Sequence, residues 1–243
     1  MKPNLTTNLS YPITTSSEFV KNLILLIKNF TKGKILIAEG SGGCETGIAF
    51  EKLSYKKISK QLKIKLIDLN REERIKLKNN KALKLKEVWL PKILLDSYLI
   101  SLPVPKDHSL AVFTCALKNQ FGIYLSKDFI KESGERGTFI AEKIVEQGWS
   151  KNKLHSFGVH ESVFDLNLYK KPDLTICDAR FGVRGNELGR KKIEIGKIIA
   201  SFDPVALDSY IAKIFGYDWR KIKYLVYSHQ KIGQAENFEV LKI

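Results

Sequence analysis

Residues 34–43, with the sequence KILIAEGSGG, place a short apolar run directly before a glycine-rich loop. The run from Lys34 to Ala38 has the length and composition of a buried strand. One helical pattern precedes it, from Ser16 to Gly33, and a second extends from Thr46 to Leu62. The next apolar run, Ile64 to Asp68, predicts another strand. This helix–strand–loop–helix–strand order predicts an α/β fold with a mostly parallel sheet and helices on both of its faces.

The rest of the chain shows no internal repeat and no clear linker, which predicts a single α/β domain over residues 1–243. The periodic pattern weakens at about residues 123–170, and this stretch is predicted to be a less regular, helical excursion from the sheet. Asp203 and Pro204 predict a helix start, because aspartate caps a helix N-terminus and proline fits its first turn. Pattern also predicts strands at Leu83–Leu90, Tyr98–Leu102, Leu174–Asp178, Gly196–Ser201 and Phe238–Ile243, and a helix at Trp219–His229.

The chain is strongly basic, with 41 lysines and arginines against 26 aspartates and glutamates and a formal net charge of +15. Such a charge favours acidic partners, among them phosphorylated or carboxylated small molecules and nucleic acid. The lysines are scattered along the chain, however, as they are on an ordinary solvated surface. No helix-turn-helix, zinc-finger or RNA-binding signature is present, so nucleic-acid binding is the least favoured of three hypotheses.

Cys44, Cys115 and Cys177 are far apart, and no pair has C-x-x-C spacing. We therefore expect no intrinsic iron–sulfur cluster and no zinc ribbon. An odd number of scattered cysteines fits a reducing compartment. The sequence shows no secretory signal and no apolar run near the ~18 residues that a membrane span needs. These features predict a cytoplasmic protein without membrane attachment.

The glycine-rich loop after the first strand is the first candidate site. Its glycines permit a tight turn that exposes backbone N–H groups to an anion, so Gly40 and Ser41 are candidate anion-binding residues. The loop lacks both the spacing of G-x-G-x-x-G and the lysine of a Walker loop. An ordinary strand-to-helix turn explains it equally well.

Two segments after the predicted strand at residues 98–102 supply further candidates. Lys106 and His108 follow that strand directly, at the sheet edge where α/β proteins bind ligands, and His108 can act as an acid or base near neutral pH. Thr114 and Lys118 are four residues apart, which places them on one face of a helix. The asparagine after Lys118, Asn119, completes a candidate phosphate or carboxylate site at a helix end. A glycine-capped helix that binds nothing is the alternative.

Carboxylates supply the remaining candidates. Asp178 stands at the end of a predicted strand, and the glycine-rich segment after it contains Gly185 and Glu187. Asp178 and Glu187 are oxygen ligands of the kind that hold a divalent cation, and Asp178 can also act as a base. Arginines in the same segment favour an anion near Gly185 instead. Asp208 lies in the second turn of the helix that Asp203 begins, so both carboxylates would face one cleft if this helix starts near the strand ends.

Five segments, taken in order, resemble the signatures of the domain of unknown function 362 family. They are Lys2–Leu5, Glu39–Ser41, Pro105–Gly122, Asp178 with Gly185–Gly189, and Ser201–Asp208. The resemblance covers nearly the whole chain and adds Lys2 and Asn4 to the candidate anion-binding residues. Many members carry an added ferredoxin-like iron–sulfur module, which implies a redox setting. The basic charge of this chain also suits an acidic ferredoxin-like partner. This chain departs from them, because it lacks the cysteine cluster of such a module.

The leading hypothesis is an enzyme that binds an anionic small molecule or cofactor in a cleft at the carboxyl ends of the strands. Predicted anion-binding residues are Lys2, Asn4, Gly40, Ser41, Lys106, Thr114, Lys118, Asn119 and Gly185; predicted catalytic residues are His108, Asp178 and Asp208; predicted ligands of a divalent cation are Asp178, Glu187 and Asp203. The second hypothesis is a redox or iron–sulfur accessory protein that works with a separate ferredoxin. The third is a nucleic-acid-binding protein.

Overall fold

Seven α-helices and ten strands make up the part of the chain that the computed structural model describes, namely residues 1–125, 151, 153–189 and 191–242. The strands are β1 (Lys2–Pro3), β2 (Leu36–Glu39), β3 (Lys65–Asp68), β4 (Arg74–Lys78), β5 (Glu87–Pro91), β6 (Ile100–Leu102), β7 (Lys106–His108), β8 (Val112–Thr114), β9 (Leu174–Arg184) and β10 (Lys191–Ser201). The helices are α1 (Ser17–Ile27), α2 (Thr46–Lys52), α3 (Tyr55–Leu62), α4 (Lys153–Ser156), α5 (Val159–Tyr169), α6 (Pro204–Ile214) and α7 (Lys223–Ser228), with 3-10 turns at Lys92–Leu94, Lys118–Ile123 and Trp219–Lys221. Among these residues, no helix combines the length and the apolar character needed to cross a membrane.

The largest sheet has six strands, in the order β1-β6-β9-β7-β8 with β10 also paired to β9. The pairs β1/β6, β6/β9 and β7/β9 are parallel, whereas β7/β8 and β9/β10 are antiparallel. A parallel pair, β2 with β3, lies alongside β1, because the Ala38 N–H donates to the Met1 carbonyl at 2.9 Å. β4 and β5 form a separate antiparallel pair. The described strands thus form a mixed, mostly parallel sheet accompanied by helices, which confirms the predicted α/β class.

Two strands of the largest sheet approach each other end to end. β6 and β7 pair with β9 one after the other, Ser101 with Thr175 and Lys106 with Val183. The opposite side of this β6–β7 run is taken by β1, which is parallel to β6, and by β8, which is antiparallel to β7. The carboxyl ends of β1 and β8 consequently point towards each other and leave a gap in the sheet beside residues 103–105.

Two groups of buried apolar side chains hold these elements in place. The smaller group joins α1, α2 and α3 to the sheet and includes the fully buried Tyr55. The larger group surrounds Phe113 and Phe215, whose rings meet edge to face with centroids 5.3 Å apart. Leu5 belongs to the smaller group and Leu117 to the larger one, and both are 0% exposed. Their burial anchors the polar residues next to them in sequence, on either side of the gap.

Asp165 of α5 is fully buried and organises the turn that leads into β5. Its Oδ1 accepts the Leu83 N–H at 2.6 Å, and its Oδ2 accepts the N–H groups of Lys84 and Leu85 at 2.7 and 2.8 Å. Hydrogen bonds to an ionised acceptor are stronger than those between neutral groups. One carboxylate therefore ties a helix to a segment about 80 residues earlier in the chain.

The structure corrects the predicted course of the chain after Asp178. The prediction ended a strand there, whereas β9 continues to Arg184 and returns as the antiparallel β10. The glycine-rich segment thus connects the two strands of a hairpin. Asp178 remains inside the sheet because the Arg180 guanidinium holds both of its carboxylate oxygens at 2.8 Å. A buried carboxylate that is fully paired does not interrupt a strand.

Other predicted elements differ in detail. The helix predicted over residues 46–62 is two helices, separated at Ser54, whose φ of 64° is left-handed and breaks the helical path. Thr114 and Lys118 do not share a helix face, because Thr114 ends β8 and Lys118 begins a 3-10 turn. The strand predicted at residues 83–90 is shorter and becomes β5, paired with the unpredicted β4.

Two elements predicted near the C-terminus also differ from the structure. The helix predicted over residues 219–229 is a 3-10 turn followed by α7, and residues 238–242 form no strand. Most of the excursion predicted at about residues 123–170, residues 126–150 and 152, lies outside the described residues. Its described part contains α4 and α5.

Candidate functional site

A cavity of about 340 Å³ opens at the gap between the facing ends of β1 and β8. Three strand ends contribute to its wall: Asn4 follows β1, Gly40 follows β2 and Thr114 is the last residue of β8. Lys106 pairs with Thr114 in the β7/β8 ladder and reaches the cavity from the neighbouring strand. The predicted site residues that line the cavity are Lys2, Asn4, Gly40, Lys106, His108, Thr114, Lys118, Asn119 and Glu187.

Sequence reasoning missed several lining residues, of which Lys151 is the most consequential. Lys151 donates to the carbonyls of Gly40 and Gly122, which lie 111 and 29 residues away in sequence. No local pattern signals a contact over such distances. Glu39 carried a usable signal, because an acidic residue that closes an apolar run has to be paired if it is buried. His155, which stacks on His108 with ring centroids 5.6 Å apart, carried none.

Lys2 and Glu39 form a deeply buried ion pair at the cavity wall. Lys2 Nζ lies 2.8 Å from Glu39 Oε1, and the side chains are 1% and 3% exposed. The other contacts of Glu39 are backbone N–H groups: Leu5 donates to Oε2 at 2.9 Å and Gly40 to Oε1 at 2.8 Å. Burial lowers the pKa of Lys2, and the Glu39 carboxylate opposes this effect. The pair fixes β1 and β2 to each other and contributes no net charge to the cavity.

Two asparagines connect this ion pair to Lys106. Asn4 Oδ1 accepts from Lys106 Nζ at 2.8 Å, and Asn4 Nδ2 donates to Asn119 Oδ1 at 3.1 Å. Asn119 Oδ1 also accepts from Lys2 Nζ at 3.3 Å, and Asn119 Nδ2 donates to Ser101 Oγ at 2.9 Å. Since a lysine ammonium can only donate, the two lysines fix the orientation of both amides. The result is a continuous network along one wall.

Lys106 and Lys151 are each held by two acceptors. Lys106 donates to Asn4 Oδ1 at 2.8 Å and to the Ile13 carbonyl at 2.7 Å, and Lys151 donates to the two glycine carbonyls named above. An ammonium has three N–H donors, so each retains one. Burial lowers the pKa of Lys106 to about 8 and that of Lys151 to about 7. Both amines are thus oriented, and both lack a carboxylate partner among the described residues.

Lys118 differs from the other two lysines. Its Nζ lies 4.2 Å from the centroid of the Phe121 ring, and within the described ranges it makes no hydrogen bond or ion pair. Burial, followed by the positive charge of Lys106, lowers the pKa of Lys118 to about 7, while Glu187 opposes the shift. We call Lys106, Lys118 and Lys151 the cavity lysines. Together they provide an excess of positive charge in a partly dehydrated space.

His108 presents one ring nitrogen to the protein backbone. Its Nδ1 accepts the N–H groups of Leu110 and Ala111, both at 3.1 Å. An accepting Nδ1 places the ring proton of the neutral imidazole on Nε2. Burial, followed by the charge of Lys118, lowers the pKa of His108 to about 3. At neutral pH His108 is therefore a neutral N–H donor, whereas the sequence had suggested a group that titrates near pH 7.

The glycine-rich loop is mainly a packing device. The N–H groups of Gly40, Ser41 and Gly43 donate to Glu39 Oε1, Thr46 Oγ1 and the Thr6 carbonyl. These N–H groups are therefore not available to an anion. The sequence had suggested the opposite, namely that Gly40 and Ser41 bind an anion. A Cβ on Gly40 would collide with the Gly122 carbonyl. Close approach of these two backbones requires glycine at this position.

A Cβ on Gly122 would lie 2.5 Å from Lys2 Nζ and would also collide with Glu39 Oε1. The 3-10 turn that carries Lys118 therefore passes directly over the buried ion pair. Without a side chain on Gly122, the carbonyl of this residue can accept from Lys151 at 2.8 Å.

Asp208 does not line the cavity, and it binds the backbone segment that leads into the cavity wall. Its carboxylate accepts the N–H groups of Ala116 and Leu117 at 2.7 and 3.1 Å. Burial raises the pKa of Asp208 to about 7, and these two N–H groups oppose the shift. The role that the geometry supports is to position the segment that leads to Lys118, in place of the predicted catalytic role.

The three carboxylates predicted to hold a cation have other partners. Asp178 is paired with Arg180 and accepts from Tyr11 Oη at 3.0 Å. Asp203 caps α6, as predicted, by accepting from the first-turn N–H groups. Glu187 accepts from the backbone and hydroxyl of Ser109 at 3.1 Å. Across the described ranges, no three or more His, Cys, Asp and Glu side chains are grouped so that they could hold a metal ion.

Ser41 and Gly185 are also absent from the cavity lining. Ser41 Oγ donates to the Leu5 carbonyl at 2.6 Å, which ties the glycine loop to the segment after β1. The Gly185 N–H donates to Asp107 Oδ2 at 2.8 Å. Gly185 has a φ of 98°, which suits glycine at the hairpin connection. Both residues stabilise segments near the cavity without reaching it.

Comparison with known proteins gives one family and no individual relative. The family model described as Domain of unknown function (DUF362) matches residues 1–213. No curated protein and no solved structure matches the chain. The matched range includes every residue that lines the cavity. Since the match extends over most of the sequence, the resemblance inferred from the five segments is confirmed, and the chain belongs to the DUF362 family.

Proposed function

We propose that this protein is an enzyme that binds an anionic small molecule, bearing a carboxylate or a phosphate group, in the cavity between the facing ends of β1 and β8. The observation that carries the proposal is the set of unused N–H donors on the cavity lysines. Lys106 and Lys151 each retain one donor, and Lys118 retains three with respect to the described residues. Lys106 and Lys151 are buried and Lys118 is half-buried. Ammonium donors that lose water without gaining a partner are costly, and an anion would satisfy them.

The charge balance supports the same conclusion. Lys2 is neutralised by Glu39, and Glu187 is the other acidic residue that the described part of the chain contributes to the lining. The three cavity lysines therefore exceed the remaining acidic charge. In a space partly shielded from water, such an excess attracts an anion more strongly than the scattered surface lysines do.

Size and shape fit a small metabolite. A cavity of about 340 Å³ lies near the lower end of the range for small-molecule pockets, which is roughly 300–1,000 Å³. Its position at the carboxyl ends of strands is also where open α/β sheets bind ligands. The lining includes groups that can hold or move a proton beside an anion, namely Lys118, His108 and Glu187. These groups favour an enzyme over a passive binding protein.

Binding of inorganic phosphate and of L-lactate, measured by isothermal titration calorimetry at low ionic strength, tests the proposal. We expect saturable binding of at least one of them. Lys106→Met should weaken it about tenfold or more, because one N–H donor and its charge are lost, corresponding to about 1.4 kcal/mol.

Lys57→Met is the matched control, since it removes the same charge from an exposed position on α3. It should leave binding unchanged. Absence of saturable binding, or an equal loss in both variants, would show that the chain attracts anions only through its overall charge. Circular dichroism of both variants, together with Lys106→Arg, which keeps the charge, separates a binding defect from a folding defect.

A further inference from the structure

Lys118 stands apart from the other lysines of the cavity in how little the protein holds it. Lys106 and Lys151 are each oriented by two oxygen acceptors. Lys118 Nζ instead packs over the Phe121 ring at 4.2 Å and has no oxygen acceptor among the described residues. An aromatic ring attracts a cation but offers no oxygen acceptor to the N–H donors of an ammonium. The site thus lacks the oxygen acceptors that a lysine ammonium with a purely structural role requires.

We infer that the Lys118 amine is a nucleophile that forms an imine with a carbonyl group of the bound anion, so that the ligands are small oxo acids. The inference rests on the proposed function, because the acid group needs a cavity lysine other than Lys118 as its anchor. Lys106, whose charge acts on Lys118, directs its remaining N–H donor to the carboxylate. Lys118 then meets the carbonyl carbon of the same molecule.

The electrostatics of the cavity suit an amine nucleophile. A lysine reacts with a carbonyl only as the neutral amine, and burial of a lysine next to another cation favours that form. Burial and the charge of Lys106 lower the pKa of Lys118 to about 7, so about half of the amine is neutral near pH 7. Lys151 has a similar pKa, but its amine is engaged by two backbone carbonyls.

The chemical step balances without a further reactant. The Lys118 nitrogen lone pair attacks the carbonyl carbon, the C–O π electrons move to oxygen, and proton transfer gives a carbinolamine. The carbonyl oxygen then leaves as water with both amine hydrogens, and a C=N bond remains. His108 lines the same cavity as a neutral imidazole whose Nδ1 is engaged by backbone N–H groups. Its Nε2–H is the donor available to the departing oxygen.

Reductive trapping tests the inference. The full chain is incubated with pyruvate or 2-oxoglutarate and then with sodium borohydride, which adds hydride to the imine carbon and leaves a stable secondary amine. Intact-mass spectrometry counts the adducts, and peptide mapping locates them. We expect one adduct per chain, located at Lys118, and no adduct with L-lactate, which has the carboxylate but no carbonyl.

Two variants accompany the measurement. Lys118→Arg keeps the positive charge and removes the nucleophile, so it should lose the adduct. Lys57→Arg alters an exposed lysine in the same way and should leave the adduct unchanged.

The outcomes separate the inference from the proposed function. If L-lactate binds but Lys118 is not labelled, or if Lys118→Arg is labelled as much as the natural chain, the inference is wrong and the anion site stands. If neither L-lactate nor the oxo acids bind, both are wrong. Labelling at Lys118 that excess L-lactate suppresses supports both, because the two ligands then compete for one site.

Discussion

The buried ion pair between Lys2 and Glu39 allows a quantitative test of how the cavity wall is held together. Among the ion pairs of the described residues it is the most deeply buried, at 1% and 3% side-chain exposure. Glu39 also accepts the N–H groups of Leu5 and Gly40, so it satisfies three donors at once. Glu39→Gln removes the charge, and its single amide oxygen cannot replace all three bonds.

The expected magnitude follows from this geometry. Removing one partner of a buried ion pair typically costs about 3–5 kcal/mol, because the other charge remains buried and unpaired. We expect a loss in the free energy of unfolding of this size for Glu39→Gln, and a similar loss for Lys2→Met. The double variant leaves no unpaired charge. Its loss should be smaller than the sum of the single losses by about 2–3 kcal/mol.

Urea unfolding followed by circular dichroism measures all four forms, with tryptophan fluorescence as a second probe of two-state behaviour. The exposed pair formed by Lys56 and Glu51, at 51% and 70% side-chain exposure, provides a matched control cycle and should show no measurable coupling. If the Lys2 and Glu39 losses are simply additive, the two side chains do not stabilise each other and the argument for this wall is refuted.

Two other predictions concern pH and the fold. Anion binding should weaken as pH rises from about 7 to 9, because the cavity lysines lose protons in this range. Calorimetry in buffers of different ionisation enthalpy should show proton uptake on binding. A pH-independent affinity in this range would contradict the lysine site. Asp165→Asn should cost about 3 kcal/mol, since two or more charge-assisted bonds to backbone N–H groups are lost, and lower the melting temperature by about 6–12 °C. Asp96→Asn, at an exposed position, should leave the melting temperature unchanged in the same calorimetric scan.

The parts of the fold that local sequence encodes were predictable. The apolar run at residues 34–38 is β2 within two residues, and Asp203 caps α6 through its own carboxylate. These features depend on neighbours in sequence. β4, with the sequence RIKLK, was missed because its alternation carries mostly charged residues and its pairing with β5 is set by tertiary structure.

The course of β9 past Asp178 was missed for a related reason. A carboxylate at the end of an apolar run normally signals the end of a strand. Here Arg180, two residues later, binds it bidentately, and Tyr11 donates a third hydrogen bond from 167 residues away. The contact with Arg180 involves a neighbour in sequence and could be predicted, whereas the contact with Tyr11 could not.

The residues of the candidate site likewise divide into those that the local sequence predicts and those that depend on long-range contacts. Polar residues that follow strand ends predicted four residues of the site, namely Lys106, His108, Thr114 and Lys118. Thr114 and Lys118 lie on a strand and on a 3-10 turn, however, and not on one helix as predicted. The family resemblance supplied Lys2 and Asn4. Lys151 could not be predicted, since its contacts to two glycine carbonyls depend on long-range folding.

The pH dependence of folding and of anion binding should have opposite signs, and this opposition connects the stability of the site to its proposed function. Burial lowers the pKa of Lys106 to about 8 and those of Lys118 and Lys151 to about 7, against 10.5 for free lysine. Between these values the unfolded chain binds more protons, so these groups make the empty fold more stable as pH rises from about 7 towards 10. A bound anion would favour the protonated lysines and raise their pKa, which would offset part of this pH dependence.

Burial of the cavity lysines therefore carries an energetic cost at neutral pH that an anion would relieve. A site selected for stability alone would replace these lysines with neutral side chains or pair each with a carboxylate, as the same protein pairs Lys2 with Glu39. The cavity lysines have no such partner in the described residues, and two of them are fixed by neutral oxygens that leave one N–H donor over. This contrast between one neutralised lysine and three lysines without a counter-charge among the described residues supports the proposal that a ligand supplies the negative charge.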